Sequence, residues 1–202
     1  MPREVSPTHS AFLELREERQ GMEEGYRFLD EKRLILAAAM LAELQRYVAA
    51  TAEFQAAFAD AVETLKAALA RHGLEELQAH PVGGLPLGEI VLSPRSVLGV
   101  IVNEVECRFQ GDGGDPPPAG SPEAARCREH FARLVPLAGR LAALTGNLER
   151  LSHEYQRTSR RARALEDVLL PELEQALRAI DTALEEQERE EAIRVRRAGT
   201  AH

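Results

Sequence analysis

The feature that most constrains this chain is a long helical repeat without proline, from about residue 10 to residue 72. Apolar residues recur there at steps of mostly three and four, which is the period of an α-helix. Arg71 and His72 precede Gly73, as at a helix end. A continuous helix of this length would reach about 90 Å and would have to project from a small globule. The stripe consists of Leu29, Leu36, Met40, Leu44, Val48, Thr51, Phe54, Phe58, Val62, Leu65 and Leu69.

A second helical repeat covers about residues 121 to 197. Ser121, Pro122 and Glu123 supply an N-cap, a proline at the first helical position and an acid near the positive end of the dipole. From Leu137 onward the apolar steps alternate four and three, which is typical of a coiled-coil seam. The stripe consists of Phe131, Leu134, Leu137, Leu141, Leu144, Leu148, Leu151, Tyr155, Thr158, Ala162, Leu165 and Leu169.

This second stripe changes phase near its end. It resumes at Leu173, Leu177, Ile180 and Leu184, displaced by four residues, and such a stutter locally unwinds a supercoil. Pro136 and Pro171 lie inside the repeat, and proline inside a helix removes a hydrogen bond and clashes with the preceding turn. We expect a bend near each proline, or a helix break at Pro136.

The middle of the chain, residues 74–120, has a different character. Gly83, Gly84, Pro86 and Gly88 indicate a loop. The β-branched runs 90–92 and 97–102 flank Ser93-Pro94-Arg95-Ser96, which predicts a β-hairpin with its turn at those four residues. The glycines and prolines of 111–118 predict a flexible surface loop.

Together these repeats predict an all-α dominated fold. Two helical segments, 1–73 and 121–202, would form a long antiparallel two-stranded coiled coil, and residues 74–120 would form a small head with the hairpin. A bundle of three or four helices, made by breaking the long ones, is the alternative. The candidate seam residues are Leu44, Phe58, Leu65, Leu148, Leu151 and Leu165.

Composition and charge exclude several classes of protein. The net charge of −8 argues against nucleic-acid binding, which usually needs a basic face. We find neither a run of about 18 consecutive apolar residues, as a membrane-spanning helix needs, nor an N-terminal secretory signal. Without export, Cys107 and Cys127 are expected to be free thiols rather than a disulfide.

The motifs of catalysis are not found in the sequence. Gly111 to Gly114 precede Asp115 and prolines rather than the Lys-Ser or Lys-Thr of a phosphate-binding loop. His153-Glu154 is followed by Arg157 where a zinc motif would have its second histidine. The acid pairs lie among arginines on helical segments, as on solvated faces with i,i+4 pairing. We therefore expect no catalytic residue, cofactor or metal ligand, and favour a mechanical or scaffolding protein.

The C-terminal repeat resembles a known family. Residues 157–174 read RTSRRARALEDVLLPELE, which is similar to the pattern T-x-R-R-V-N-A-L-E-x-V-x-I-P-x-L-E of the D subunit of vacuolar/archaeal-type rotary ATPases. Residues 184–196, LEEQEREEAIRVR, resemble that family's L-D-E-x-E-R-E-E-F-x-R-L-K. Weaker similarities lie at 7–16, 31–33 and 96–100. Departures from the family's usual residues occur at Ala162, Arg163, Asn103 and Ala192.

The resemblance implies a central rotor shaft without its own catalytic activity. Its paired terminal helices would enter a catalytic hexamer of A and B subunits, the F subunit would pack on its side, and its head would dock on the C subunit, also called d. The resemblance also implies a cytoplasmic location, peripheral to the membrane and without direct membrane insertion.

Five residues are candidates for contact or shape in such a shaft. Arg160, Arg161, Arg189 and Arg194 are candidate partner contacts, although ion pairing within the helix would also explain them. Pro171 is the candidate bend of the shaft. A coiled-coil scaffold or adaptor outside a rotary ATPase is the alternative function, and an enzyme with a site in the head is a remote third.

Overall fold

The computed structural model describes residues 6–79, 88–109 and 121–199. Helix α1 (His9–Ala79) is followed by strands β1 (Gly88–Val97) and β2 (Val100–Phe109), then by α2 (Pro122–Ala164). A π-helical turn (Leu165–Leu169) connects α2 to α3 (Leu170–Gly199). The predicted class, mostly helical with a β-hairpin, is confirmed. The predicted loops around 83–86 and 111–118 lie outside the described residues.

The chain divides into two compact units. The first contains Met1–Ile35 and Tyr155–His202, and the second contains Leu36–Glu154. In the first unit, the start of α1 packs against α3 through a buried cluster of Leu15, Leu177, Ile180 and Leu184. Half-buried Ala11, Phe12, Leu173 and Ala176 complete this core.

In the second unit, α1 and α2 run antiparallel. Arg140 Nη1 lies 3.5 Å from Glu53 Oε2, and His72 Nε2 lies 2.6 Å from Ser121 Oγ. As residue numbers rise along one helix they fall along the other at the same rate. Gly73, with φ of 73°, interrupts α1 one residue beyond this last contact, where the sequence predicts a helix end.

Every residue of the stripe predicted on α2 is buried or half-buried from Phe131 to Leu165. Pro136 lies inside α2, and the helix continues through it, so the alternative of a break at Pro136 is wrong. The stripe continues on α3 at Leu173, Leu177, Ile180 and Leu184, as predicted. Cys127 is a free, buried thiol, as predicted, and the side chain of Cys107 lies outside the described part of the chain.

The hairpin is present, but its turn is not where the sequence analysis expects it. Residues 93–96 belong to β1, and the chain reverses at Leu98 and Gly99, whose φ angles are 48° and 86°. Two central residues with positive φ make a type I′ turn, whose twist matches that of paired strands. Pro94 pairs with Asn103, whose N–H and C=O point away from β1, so the missing N–H of proline removes no ladder bond.

The geometry of this turn predicts that alanine has opposite effects on stability at two glycines. Gly99→Ala forces a Cβ into left-handed backbone geometry, so we expect amide exchange along β2 to accelerate about fivefold, equivalent to about 1 kcal/mol. Gly21→Ala is the matched control, because Gly21 is helical and has open space around it. It should raise the free energy of unfolding by up to about 1 kcal/mol. Unchanged exchange along β2 in Gly99→Ala would contradict the turn geometry.

Candidate interaction surfaces

The buried face of α1 in the second unit is lined largely by small residues. Ala50, Ala61 and Ala68 are almost completely buried. They belong to a set that is heptad-spaced up to Ala61 and takes one extra step of four at Leu65: Leu36, Met40, Glu43, Tyr47, Ala50, Phe54, Ala57, Ala61, Leu65 and Ala68. Small side chains on one helix let the leucines of the other fill the seam. On α2 the buried side comprises Leu134, Leu144, Asn147 and Leu151.

Two predicted seam residues are therefore wrong. Leu44 is 47% exposed and Phe58 is 48% exposed, so neither lies in the buried seam. The predicted stripe follows large apolar residues and therefore passes from Met40 to Leu44, whereas the buried face passes from Met40 to Glu43. Of the other candidates, Leu151 is fully buried, and Leu65, Leu148 and Leu165 are half-buried.

The large apolar side chains that leave the seam form an exposed apolar face on α1. We define it by Leu41, Leu44, Val48 and Phe58, which lie within one side of the helix next to the seam. The ring of Phe58 stacks on that of Phe54, with centroids 6.2 Å apart. Several exposed large apolar side chains on one side of a helix are typical of an interaction site.

By length and composition, the same helix is long and apolar enough to cross a membrane. An 18-residue window between His9 and Gln78 reaches a mean hydropathy of 1.3, and only 17% of it is buried. The expectation of no membrane span rests on unbroken apolar runs, and this window reaches its mean hydropathy without such a run. One such helix is weak evidence for a membrane span, and the heptad-spaced seam on it is that of a helix packed against protein.

The hairpin packs against α2 through side chains that bond to its open edge. Asn147 Oδ1 accepts from the Asn103 N–H at 2.8 Å, and Asn147 Nδ2 donates to the Asn103 carbonyl at 2.9 Å. Arg150 Nε donates to the Ile101 carbonyl at 2.9 Å. Asn147 is buried, and the side chains of Val100 and Val102 are buried on the same hairpin. The α2 side chains thus satisfy the strand edge that would otherwise be open.

The hairpin also reaches α1, through a buried acid. The side chain of Glu43 is 4% exposed, and its Oε1 lies 3.2 Å from Arg46 Nη1 and 3.6 Å from Arg95 Nη2 of β1. Glu43 Oε2 is buried without a hydrogen-bond partner among the described residues. Arg46 also approaches Glu104 of β2, at 3.7 Å. Sequence reasoning missed Glu43 and Asn147, although both fall on the heptad positions of buried residues.

The π-helical turn lies inside the segment that carries the family resemblance. The Leu170 N–H bonds to the Leu165 carbonyl, five residues back. This wider turn takes up one extra residue, so that Leu170 is half-buried while Leu169 is 38% exposed. The π turn thus coincides with the predicted phase change of the stripe and ends two residues before Pro171. Burial, followed by the charge and hydrogen bond of Glu166 in this turn, raises the pKa of Tyr26 on α1.

The four candidate arginines have two kinds of surroundings. Arg189 pairs with Glu185 at 3.0 Å, and Arg194 pairs with Glu190 at 3.3 Å, each one turn away on α3. Arg160 and Arg161 are largely open to solvent, and neither forms an ion pair with any residue that the structure describes. Their neighbours Arg157 and Arg163 are also exposed, which leaves a basic face on an acidic chain.

A polar cluster joins the end of α1 to the start of α2. His72 Nδ1 lies 3.3 Å from Glu76 Oε1, Arg71 Nη1 lies 3.0 Å from Glu123 Oε1, and the Ser121 hydroxyl donates to Glu123 Oε2 at 2.7 Å. Ser121 Oγ also accepts from the Glu123 N–H, as an N-cap does. The bond from the Ser121 hydroxyl, followed by a bond from the backbone N–H of Glu123 to its own carboxylate, lowers the pKa of Glu123. The Ser121 hydroxyl is therefore engaged in capping α2.

Comparison with known proteins finds a matching family. The family model for the D subunit of ATP synthase matches residues 11–200. The chain belongs to the ATP synthase D-subunit family. It is 30% identical to the V-type ATP synthase D subunit of Anaeromyxobacter dehalogenans strain 2CP-C, over 98% of this chain and 97% of the relative. It is 28% identical to the V-type D subunit of Thermotoga neapolitana, over 96% of each chain.

An archaeal relative shows the same extent of similarity. The A-type ATP synthase D subunit of Thermococcus sibiricus is 29% identical over 96% of this chain and 92% of the relative. The D subunit is a central-stalk component of a rotary ATPase and is not itself catalytic, so the predicted family and class of function are confirmed.

The seam assignment can be tested on this D-subunit chain alone. Leu151→Ala removes a fully buried side chain and should lower the free energy of unfolding by about 2–5 kcal/mol. Leu44→Ala is the matched control on the exposed apolar face, and we expect a loss below about 1 kcal/mol. Urea unfolding followed by helical circular dichroism measures both. Equal losses of unfolding free energy in the two variants would mean that Leu44 lies in the seam.

Proposed function

We propose that this D subunit is the rotor shaft that transmits torque between a catalytic hexamer of A and B subunits and a membrane ion-translocating rotor. The observation that carries this proposal is the heptad-spaced buried seam on α1, matched within the second unit by α2. A seam of this kind makes a helix pair stiffer in bending and twisting than a single helix, and torque transmission requires that stiffness.

The exposed apolar face on α1 is proposed as the contact for the F subunit. The family resemblance implies that the F subunit packs on the side of the shaft. Leu41, Leu44, Val48 and Phe58 offer apolar side chains along one side of a helix, where burial by a partner is favourable. With this assignment, a protein partner rather than lipid buries the exposed apolar residues of α1.

The arginines are proposed as contacts with the surrounding hexamer. Arg160 and Arg161 are the stronger pair, because their guanidinium groups carry no ion pair within the described chain. Arg189 and Arg194 are proposed as weaker contacts, since each already has a carboxylate one turn away. Exposed charge pairs contribute at most about 1 kcal/mol each, which suits a surface that has to turn against its bearing.

The remaining proposed contacts follow from the resemblance. The middle segment, residues 74–120, would dock on the C subunit, also called d, and the complex would hold the shaft at the cytoplasmic face of the membrane. Half-buried Leu65, Leu148 and Leu165 and buried Leu151 are proposed to hold the helices together.

The first experiment is recovery of the tagged full-length chain from the native organism in mild detergent, with the bound proteins identified by mass spectrometry. We expect the A, B and F subunits to be recovered together. The double variant Arg160→Glu, Arg161→Glu should reduce recovery of A and B, whereas recovery of F should be retained. Arg178→Glu is the matched control, because Arg178 is exposed on α3 and already faces Glu174 at 3.7 Å.

Two outcomes would contradict these proposals. Recovery of other partners without A, B or F would favour the scaffold alternative. Equal loss of A and B in the double variant and the Arg178→Glu control would mean that Arg160 and Arg161 have no special role.

Pro171 is proposed as the residue that shapes the shaft at the π turn. Proline cannot donate the backbone bond that would pull this region into a regular α-helix. Pro171→Ala should allow the π turn at Leu165–Leu169 to shorten, which would rotate α3 relative to the end of α2. We expect ATP hydrolysis of the reconstituted complex to persist while the ions moved per ATP fall. A coupling ratio equal to that of the parent complex would remove Pro171 from the mechanism.

A further inference from the structure

The second unit poses a problem of register. The buried face of α1 carries Ala50, Ala61 and Ala68 among larger residues such as half-buried Tyr47 and Phe54. Ala61 and Ala68 are one heptad apart, so these two alanines would pack almost equally well after a slide of one heptad, a distance of about 10 Å along the axis. The alanines therefore contribute little to the choice between these registers.

Two buried polar residues break this repetition. Glu43 on α1 and Asn147 on α2 are the large polar side chains among the most buried residues of the unit. A buried polar residue in a coiled coil specifies register because its hydrogen bonds can be made in only one alignment. Among the residues that the structure describes, neither bonds to the opposite helix. Both interact with the hairpin.

The hairpin connects these two residues. Glu43 is approached by Arg95 of β1 at 3.6 Å, and Asn147 holds both backbone groups of Asn103 of β2 at 2.8 and 2.9 Å. Arg95 pairs with Val102 and Pro94 pairs with Asn103 in the ladder, so the two anchor points are neighbours on one small sheet. Arg150 adds a bond to Ile101, and Arg46 approaches Glu104.

We propose that the hairpin is a cross-brace that fixes the register of α1 against α2. A slide of one heptad would carry Glu43 or Asn147 away from the sheet and leave a buried carboxylate or amide without its partners, which is costly. This inference about the helix pair stands on the structure of the second unit. Its mechanical importance, that the shaft does not shear under load, rests on the proposed function.

The test measures register directly in the full-length chain. Spin labels are attached to cysteines placed at Glu63 and Glu149, both exposed, after Cys107→Ser and Cys127→Ala. In the native register these positions are about 28 Å apart along the axis, and a slide of one heptad changes that distance by about 10 Å in either direction. Pulsed electron paramagnetic resonance reports the distance distribution, so a slid population appears as a second peak.

The brace variant replaces both anchors with apolar residues, Glu43→Leu with Asn147→Leu. Leucine at these positions keeps the seam apolar, so helical content should be retained. We expect the slid population to rise about tenfold, because the bonds that select one register are gone. The matched control is Glu53→Leu with Arg140→Leu, which removes an exposed ion pair between the same two helices without touching the hairpin. This control variant should show a single peak in the distance distribution.

A second variant covers the case in which the first does not fold. Arg95→Ala with Arg150→Ala removes two exposed arms of the brace and leaves the seam residues in place. It should also produce a slid population, smaller than that of the double leucine variant. A single native distance in every folded brace variant would overturn the proposal, and so would equal sliding in the Glu53→Leu, Arg140→Leu control.

The link to rotation is tested separately in the reconstituted complex. If the brace variants slide and also lower the ions moved per ATP, both the brace and its role in the shaft are supported. If the brace variants show a slid population while the number of ions moved per ATP is unchanged, the brace is supported and its importance for torque is overturned. If the native protein is recovered with partners other than A, B and F, the rotor proposal fails while the distance measurement still decides the brace.

Discussion

The structure depends on close packing along one face of α1. That face combines a heptad repeat with alanine at its most buried positions, and α2 supplies leucines against it. Alanine contributes little apolar area, but it has the highest helix propensity and costs no side-chain entropy. The arrangement therefore favours a long, regular helix, and it leaves the larger apolar residues of α1 available elsewhere.

The consequence is a helix with two apolar sides. One side is the seam, and the other is the exposed apolar face of Leu41, Leu44, Val48 and Phe58. A single chain in water gains nothing from exposing such residues, and a component of an assembly gains their burial when its partner binds. Membership of the ATP synthase D-subunit family thus gives a physical reason for the exposed face.

The sequence predicts the helices, the existence of the hairpin and the α2 stripe, because each depends on local periodicity. It misplaces the hairpin turn, because Pro94 is typical of turns and its acceptable position in β1 depends on which way Asn103 points. It assigns Leu44 to the seam because large residues give the stronger signal. It cannot find the contacts of Glu43 with Arg95 or of Asn147 with Asn103, because these pairs lie far apart in the chain.

The contrast between the two units shows what each kind of seam needs. In the first unit, Leu15, Leu177, Ile180 and Leu184 interlock through side chains of different shape, and such packing resists sliding by itself. In the second unit three of the most buried positions of α1 are alanines, which offer less shape, and two buried polar residues are held by a hairpin. Burying Glu43 carries a desolvation cost that a leucine would avoid. That cost is understandable if Glu43 is retained for alignment, because buried alanines contribute little to alignment.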